Sequence, residues 1–204
     1  MKASPRDDAP CTRRAIRYAV MLAGALLVCG CATVPPRGWR QGGAHLIIPR
    51  ARWVYGAISI ELTHRGLVTL AGAPWLTIDG AGRVSTPDGE PVALLLGDGM
   101  LRGPNDRRLG WVGAGESIKP GELKRWLVFQ PSGEVLKNDG TKLRPFGVWF
   151  GCNQRPDTLQ ACTLVTHLLA QSWWKRQTST SNRPFGSRPF GSRSTSPTFI
   201  TPFP

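Results

Sequence analysis

The chain has 204 residues, and its 26 lysines and arginines against 13 aspartates and glutamates give a formal net charge of +13. Only 19% of the residues are charged and 41% are hydrophobic, which excludes a highly charged disordered chain and allows a modest core. The 24 glycines and 18 prolines favour short strands joined by tight turns over a helical protein. Without its two atypical ends the chain keeps about 140 residues, which argues against a multidomain enzyme.

The first 30 residues have the pattern of a secretory signal peptide. Basic residues precede an uncharged run of eleven residues from Tyr18 to Val28. A helix that crosses a membrane needs about 20 apolar residues, so this run has the length of a signal-peptide core. The pair Arg13 and Arg14 resembles a twin-arginine export signal, so the general and the twin-arginine export routes both stay open.

The four residues Val28-Cys29-Gly30-Cys31 resemble the lipobox of bacterial lipoproteins. The resemblance implies cleavage by signal peptidase II before Cys31, whose thiol would carry the lipid; Cys29 is the alternative lipidated residue. Ala32 resembles the residue choice that releases lipoproteins to the outer membrane. We therefore expect a lipoprotein anchored in the outer membrane on its periplasmic face.

The cysteine count agrees with export. Of the five cysteines, cleavage before Cys31 removes two and lipidation uses a third, so Cys152 and Cys162 remain. An even remainder favours a disulfide, since such bonds persist in the periplasm. Two free thiols, or a metal pair with His167, are the alternatives, but three such ligands fall short of a four-ligand zinc shell. We expect no metal and no cofactor.

The middle of the chain predicts a mainly β fold of short antiparallel strands and hairpins. Ile58, Ile60 and Leu62 alternate with polar residues, the period that turns one face of a strand inward. Further strands are indicated at 126–129 and 146–151. We place this β-rich domain, with a C-terminal helix, at residues 45–176, behind a lipid-anchored tether at 31–44.

A repeat runs through this domain. Residues 80–92 align without gaps with 97–109, and a third copy covers 131–143. The repeat resembles Asp-Gly-rich hairpin repeats of secreted bacterial proteins and carries no activity with it. The predicted turn residues are Asp88, Gly89, Asn105, Asp106, Asp139 and Gly140. The apolar residues predicted to flank these turns and to face one core are Val84 with Val92, Leu101 with Leu109, and Val135 with Leu143. A calcium loop would need more oxygen ligands than any copy supplies.

The C-terminal region divides into a helix and a tail. Asp157 is the predicted N-cap of a helix over 158–174, whose apolar residues fall mainly on one stripe and should pack against the sheet. Residues 177–204 contain no carboxylate and are rich in Ser, Thr and Pro, so we predict a disordered tail.

The predicted role is structural or binding, not enzymatic. Removal of the leader leaves 21 basic and 11 acidic residues, and this surplus favours an anionic envelope polymer such as glycan or lipopolysaccharide, or a protein partner. The first alternative is an envelope hydrolase that would need Glu61, His64 or Asp79 to converge in a cleft. A second is a nucleic-acid binder, although no recognition motif is present. The five tryptophans near strand ends (Trp53, Trp75, Trp111, Trp126 and Trp149) favour packing over stacking on sugars.

Overall fold

The structure, a computed structural model, describes residues 34–152 and 155–181, with side chains as far as residue 172. The predicted signal peptide, Cys31 and the predicted tail beyond residue 181 lie outside the described residues.

Twelve short antiparallel strands form one closed barrel in the described part of the chain. Each strand pairs with its neighbour in sequence, and β12 closes the ring on β1 through pairs such as Trp53 with Trp149. The strands are β1 Ala51–Tyr55, β2 Ile58–Leu62, β3 Leu67–Leu70, β4 Ala73–Ile78, β5 Arg83–Ser85, β6 Pro91–Leu95, β7 Met100–Arg102, β8 Arg108–Val112, β9 Glu116–Ile118, β10 Arg125–Phe129, β11 Glu134–Asn138 and β12 Leu143–Phe150. The prediction of a mainly β fold of short strands with one C-terminal helix is confirmed.

Because neighbouring strands run in opposite directions, the turns alternate between two ends of the barrel. The turns inside the six hairpins β1–β2 to β11–β12 lie at one end, here the hairpin end; they are 56–57, 71–72, 86–90, 103–107, 119–124 and 139–142. The turns that join one hairpin to the next lie at the other end, here the glycine end; they are 63–66, 79–82, 96–99, 113–115 and 130–133.

Each turn at the glycine end closes on a glycine with a positive φ. These glycines are Gly66, Gly82, Gly99, Gly115 and Gly133. The carbonyl of each accepts a hydrogen bond from an amide near the end of the following hairpin, as Gly66 does from Ile78 at 2.8 Å and Gly133 from Trp149 at 2.8 Å. A Cβ on Gly66 would collide with the carbonyl oxygen of Ile78, so no other residue fits there without a backbone shift. The repeat seen in the sequence is thus part of a longer one, which also includes the hairpins after Gly66 and Gly115.

The repeat places its first apolar residue in the core but not always its second. Val84, Leu101 and Val135 have no exposed surface. Among their partners Leu109 is buried and Val92 is half-buried, whereas the side chain of Leu143 is 48% exposed, so that prediction was wrong. Leu143 pairs with Asn138 at the very rim of the hairpin end, outside the layer that the core side chains fill.

The predicted turn residues lie in turns at the hairpin end. Pro87 and Asp88 form a turn that Gly89 completes with a φ of 89°. Asn105 and Asp106 both take a positive φ in a short 3₁₀ turn, Pro104–Asp106. Gly140, with a φ of 104°, follows Asp139 between β11 and β12.

The first part of a helix, α1, lies in the lumen of the barrel, as far as His167, instead of packing against the outer face. The helix spans Pro156–Ser181, and the seven successive residues from Ala161 to His167 are each 0% exposed. At 3.6 residues per turn, seven residues face every direction, so this part of the helix is surrounded on all sides. The prediction of one apolar stripe against a sheet was therefore wrong. None of the described helices is long and apolar enough to cross a membrane.

The boundaries of α1 differ from those predicted. The carbonyl of Arg155 accepts the first helical hydrogen bond, from the amide of Leu159 at 2.9 Å. Asp157 consequently lies within the first turn and is not the N-cap. The helix continues to Ser181, so the first residues of the region predicted as a tail from 177 onward are helical.

The chain before β1 is packed against the barrel wall from Val34 onward. The amide of Asn105 donates to the carbonyl of Val34 at 2.9 Å, at the hairpin end. Farther along, the amide of Ala44 donates to the carbonyl of Leu95 at 2.7 Å, so this segment runs along the outside of the wall toward the glycine end. The segment predicted as a tether over 31–44 is therefore docked over its described part.

Candidate functional site

The two cysteines that the sequence singles out are joined. Cys152 and Cys162 form a disulfide, with their Cα atoms 6.2 Å apart, and both side chains are buried. The hydroxyl of Thr158 donates to the carbonyl of Cys152 at 3.1 Å. The bond fixes the start of α1 to the chain that leaves β12, at the glycine end.

Four polar contacts connect α1 to the inside of the wall. The indole Nε1 of Trp149 donates to Thr166 Oγ1 at 2.8 Å, and the amide of Gly115 donates to Thr163 Oγ1 at 3.1 Å. The other two contacts join Gln160 Nε2 to the Val112 carbonyl at 3.0 Å and His167 Nε2 to the Leu109 carbonyl at 2.9 Å. Polar residues on a buried helix are tolerated because the wall supplies partners for them.

His167 is part of this core. Its ring lies edge-on to the Trp126 ring, with centroids 5.1 Å apart. Burial lowers the pKa of His167 to about 4, while the bond to the Leu109 carbonyl acts in the opposite direction. The ring is therefore neutral near pH 7 and donates its Nε2 proton to that carbonyl. The described residues contain no group of three His, Cys, Asp or Glu that could hold a metal ion.

The tryptophans divide between core and surface. Trp53, Trp126 and Trp149 are at most 2% exposed, so these three pack in the core as predicted. Trp75 and Trp111 are only partly buried.

The three residues considered for catalysis do not line one depression together. Asp79 accepts hydrogen bonds from the amides of Ala81 and Arg83 at 3.0 and 2.9 Å and pairs with the Arg83 guanidinium, so it organises its own turn. Glu61 and His64 are exposed and line two different depressions, neither of which Asp79 lines. Asp139 has a similar turn role: backbone amides of Lys142 and Thr141 are the main cause of its lowered pKa.

The most suggestive surface feature is a basic groove at the glycine end of β1, β2 and β12. It consists of two depressions of about 470 and 420 Å³ that share Arg50 and Thr63. We call it the arginine groove and define it by Arg50, Arg52, Glu61, Thr63, His64, Arg65 and Phe150.

The groove carries uncompensated positive charge. Arg50, Arg52 and Arg65 are exposed, and none of them forms an ion pair with another described residue. Glu61, the one carboxylate among the groove residues, faces Arg52 across the β1–β2 pair but lies beyond ion-pair distance. Guanidinium groups bind carboxylates and phosphates through two parallel hydrogen bonds, so an anionic ligand is the chemistry that this surface favours.

An aromatic side chain completes the groove. Phe150 pairs with Arg52 across the seam between β12 and β1, and its side chain is 60% exposed. An exposed ring beside guanidinium groups offers an apolar face for stacking as well as charge. Arg50 and Arg52 lie two positions apart in the sequence, but nothing in the sequence indicates that Arg65 and Phe150 would join them.

Comparisons with known proteins assign no relative. No protein-family model matches the chain, and neither the curated proteins nor the solved structures contain a match.

Proposed function

We propose that this chain is a lipoprotein, anchored in the bacterial outer membrane on its periplasmic face, that binds an anionic glycan of the cell envelope. The lipobox-like sequence that ends at Cys31 supports the proposed localisation. The pairing of Cys152 with Cys162 is consistent with an oxidising compartment. The proposed role is binding, because Asp79 organises its own turn and does not line the groove that contains Glu61 and His64.

The proposal of an anionic ligand rests on the arginine groove. Three unpaired guanidinium groups and one exposed ring lie together there, next to a single carboxylate. Peptidoglycan presents carboxylates on its peptide stems and apolar ring faces on its sugars, so it offers both kinds of contact. We propose peptidoglycan as the ligand, with the carboxylates on Arg50, Arg52 and Arg65 and a sugar face on Phe150.

Co-sedimentation with purified peptidoglycan tests this assignment. The variant Arg50→Gln/Arg65→Gln removes two groove charges, and Arg107→Gln/Arg108→Gln removes two exposed charges at the other end of the barrel. We expect the groove variant to bind about tenfold more weakly, which corresponds to about 0.7 kcal/mol for each exposed guanidinium. The control variant should bind like the unmodified protein.

Two results would count against the ligand. Equal losses in both variants would mean that only net charge matters, and binding that is stronger to lipopolysaccharide than to peptidoglycan would identify a different polymer.

The anchor has a separate test. Cys31→Ser should move the protein out of the detergent phase of cell extracts, whereas Cys29→Ser should leave it there. Mass spectrometry of the mature N-terminus would show which thiol carries lipid. If instead Cys29→Ser leaves the detergent phase and Cys31→Ser stays in it, Cys29 is the lipidated residue. If both variants stay in the detergent phase, the result contradicts lipidation at either cysteine.

A further inference from the structure

We propose that the hairpin end of the barrel rests on an anionic phospholipid bilayer, with Leu123 inserted among the headgroups. This inference builds on the proposed lipid anchor and adds an orientation to it: the barrel lies on the membrane by one defined end.

The position of Val34 brings the anchor to this end. The Val34 carbonyl is bonded to the Asn105 amide, and Arg37 pairs with Asp106 at 2.7 Å, so the docked segment begins beside the β7–β8 turn. Cys31 precedes Val34 by three residues, and a fully extended chain of that length spans at most about 11 Å. A lipid on Cys31 therefore keeps Val34, and with it the β7–β8 turn of the hairpin end, close to the bilayer surface.

The same end carries most of the exposed apolar surface. The described residues include six large hydrophobic side chains that are exposed, and five of them lie at the hairpin end: Val34, Tyr55, Ile58, Leu123 and Leu143. Leu123 is the most exposed of all, at 97%, in the turn between β9 and β10. Apolar side chains concentrated on one part of a surface mark a membrane or protein contact.

These side chains occupy one arc of the rim. They belong to four hairpins that are adjacent around the barrel, from β7–β8, where Val34 is docked, through β9–β10 and β11–β12 to β1–β2. The Asn138 side chain donates to the carbonyl of Arg125 at 3.2 Å and so links the strands on either side of the Leu123 and Leu143 turns. The four hairpins are thus consecutive neighbours around the ring.

The charge on this arc fits an anionic membrane. Lys124 and Lys142 flank Leu123 and Leu143 in sequence, are exposed, and form no ion pair with a described residue. The turn that carries Asp88 and Glu90 belongs to β5–β6, the hairpin diametrically opposite β11–β12 in the ring. The carboxylates of the arc itself, Asp106, Glu122 and Asp139, are each paired with a basic side chain. Lysines near an anionic leaflet are attracted to it and unpaired carboxylates are repelled, so the arc and not the whole rim should contact the lipid.

Fluorescence from two single positions tests this orientation. In the mature lipoprotein Cys31 carries lipid and Cys152 is bonded to Cys162, so an introduced cysteine is the one free thiol. The variants are Leu123→Cys and the matched control Phe150→Cys, an exposed site at the glycine end. Each full-length lipidated protein is labelled with a nitrobenzoxadiazole dye and reconstituted into phosphatidylethanolamine–phosphatidylglycerol vesicles that contain nitroxide lipids.

We expect a blue shift and quenching of the label at position 123 and neither at position 150. Vesicles of neutral phosphatidylcholine should give a smaller shift at position 123, because Lys124 and Lys142 then lose their partners. Equal signals at both positions would overturn the proposed orientation. Equal blue shifts on both kinds of vesicle would show that the lysines do not contribute to the contact. Flotation of the same vesicles reports the anchor separately: protein that does not float refutes the lipid anchor, whereas protein that floats without quenching at position 123 refutes only the docking.

Discussion

Acidification should destabilise this protein through a single buried histidine. The pKa of His167 falls from 6.5 to about 4 in the folded protein because the ring is buried in the lumen. Below pH 6.5 the unfolded chain takes up a proton at this residue, while the folded protein resists it until about pH 4. Stability is therefore complete above pH 6.5 and falls as the pH drops toward 4.

The size of the loss follows from the shift. Each unit of difference between the two pKa values contributes about 1.4 kcal/mol, so protonation of the unfolded chain should cost roughly 3 kcal/mol of unfolding free energy over this range. The side chain has no exposed surface, so solvent does not reduce this figure appreciably.

The variant His167→Gln isolates the effect. Glutamine can still donate a hydrogen bond toward the Leu109 carbonyl, but it does not titrate. Carboxylates such as Asp139, whose lowered pKa also reduces stability in acid, are common to both proteins and cancel in the comparison. Urea denaturation followed by tryptophan fluorescence, at several pH values between 6.5 and 4, gives the unfolding free energy of each protein.

We expect the unmodified protein to lose roughly 3 kcal/mol more than the variant across the range. Parallel curves for the two proteins would refute the reasoning, since they would show that the acid sensitivity arises elsewhere.

Two further predictions concern the attachment of the helix. The double variant Cys152→Ser/Cys162→Ser opens a loop with a sequence separation of ten and should lower the free energy of unfolding by about 3 kcal/mol in denaturant titrations, and reductant should then affect only the unmodified protein. Unchanged stability would contradict this. Thr166→Val leaves the buried Nε1 of Trp149 without its acceptor and should cost about 1 to 3 kcal/mol in thermal unfolding, whereas Thr166→Ser, which keeps the hydroxyl, should cost less; equal effects would exclude the hydrogen bond as the cause.

The features that sequence predicted well are those set by neighbouring residues. Turn chemistry around Asp88 and Gly89 and alternation in β2 each depend on a short stretch of sequence. They sufficed for a mainly β fold made of hairpins. The hairpins after Gly66 and Gly115 were not recognised as copies of the repeat because their hairpin-end turns, 71–72 and 119–124, lack the Asp-Gly pair although both follow the same glycine.

The location of the helix could not be read from its residues. Thr163, Thr166 and His167 resemble a polar, solvent-facing side, and only contacts with distant strands make them interior residues. The arginine groove could not be predicted for the same reason, because its residues are far apart in the sequence. Arg52 and Phe150 are nearly one hundred positions apart and become neighbours only when β12 pairs with β1.

The central helix also constrains the order in which the domain can be assembled. It follows all twelve described strands, so a nascent polypeptide cannot fill the lumen of the barrel until the residues around His167 have been made. Hairpins can form early and locally, but the seam from β1 to β12 has nothing to close around before then. A chain still being synthesised would therefore remain an open row of hairpins until its helix is complete.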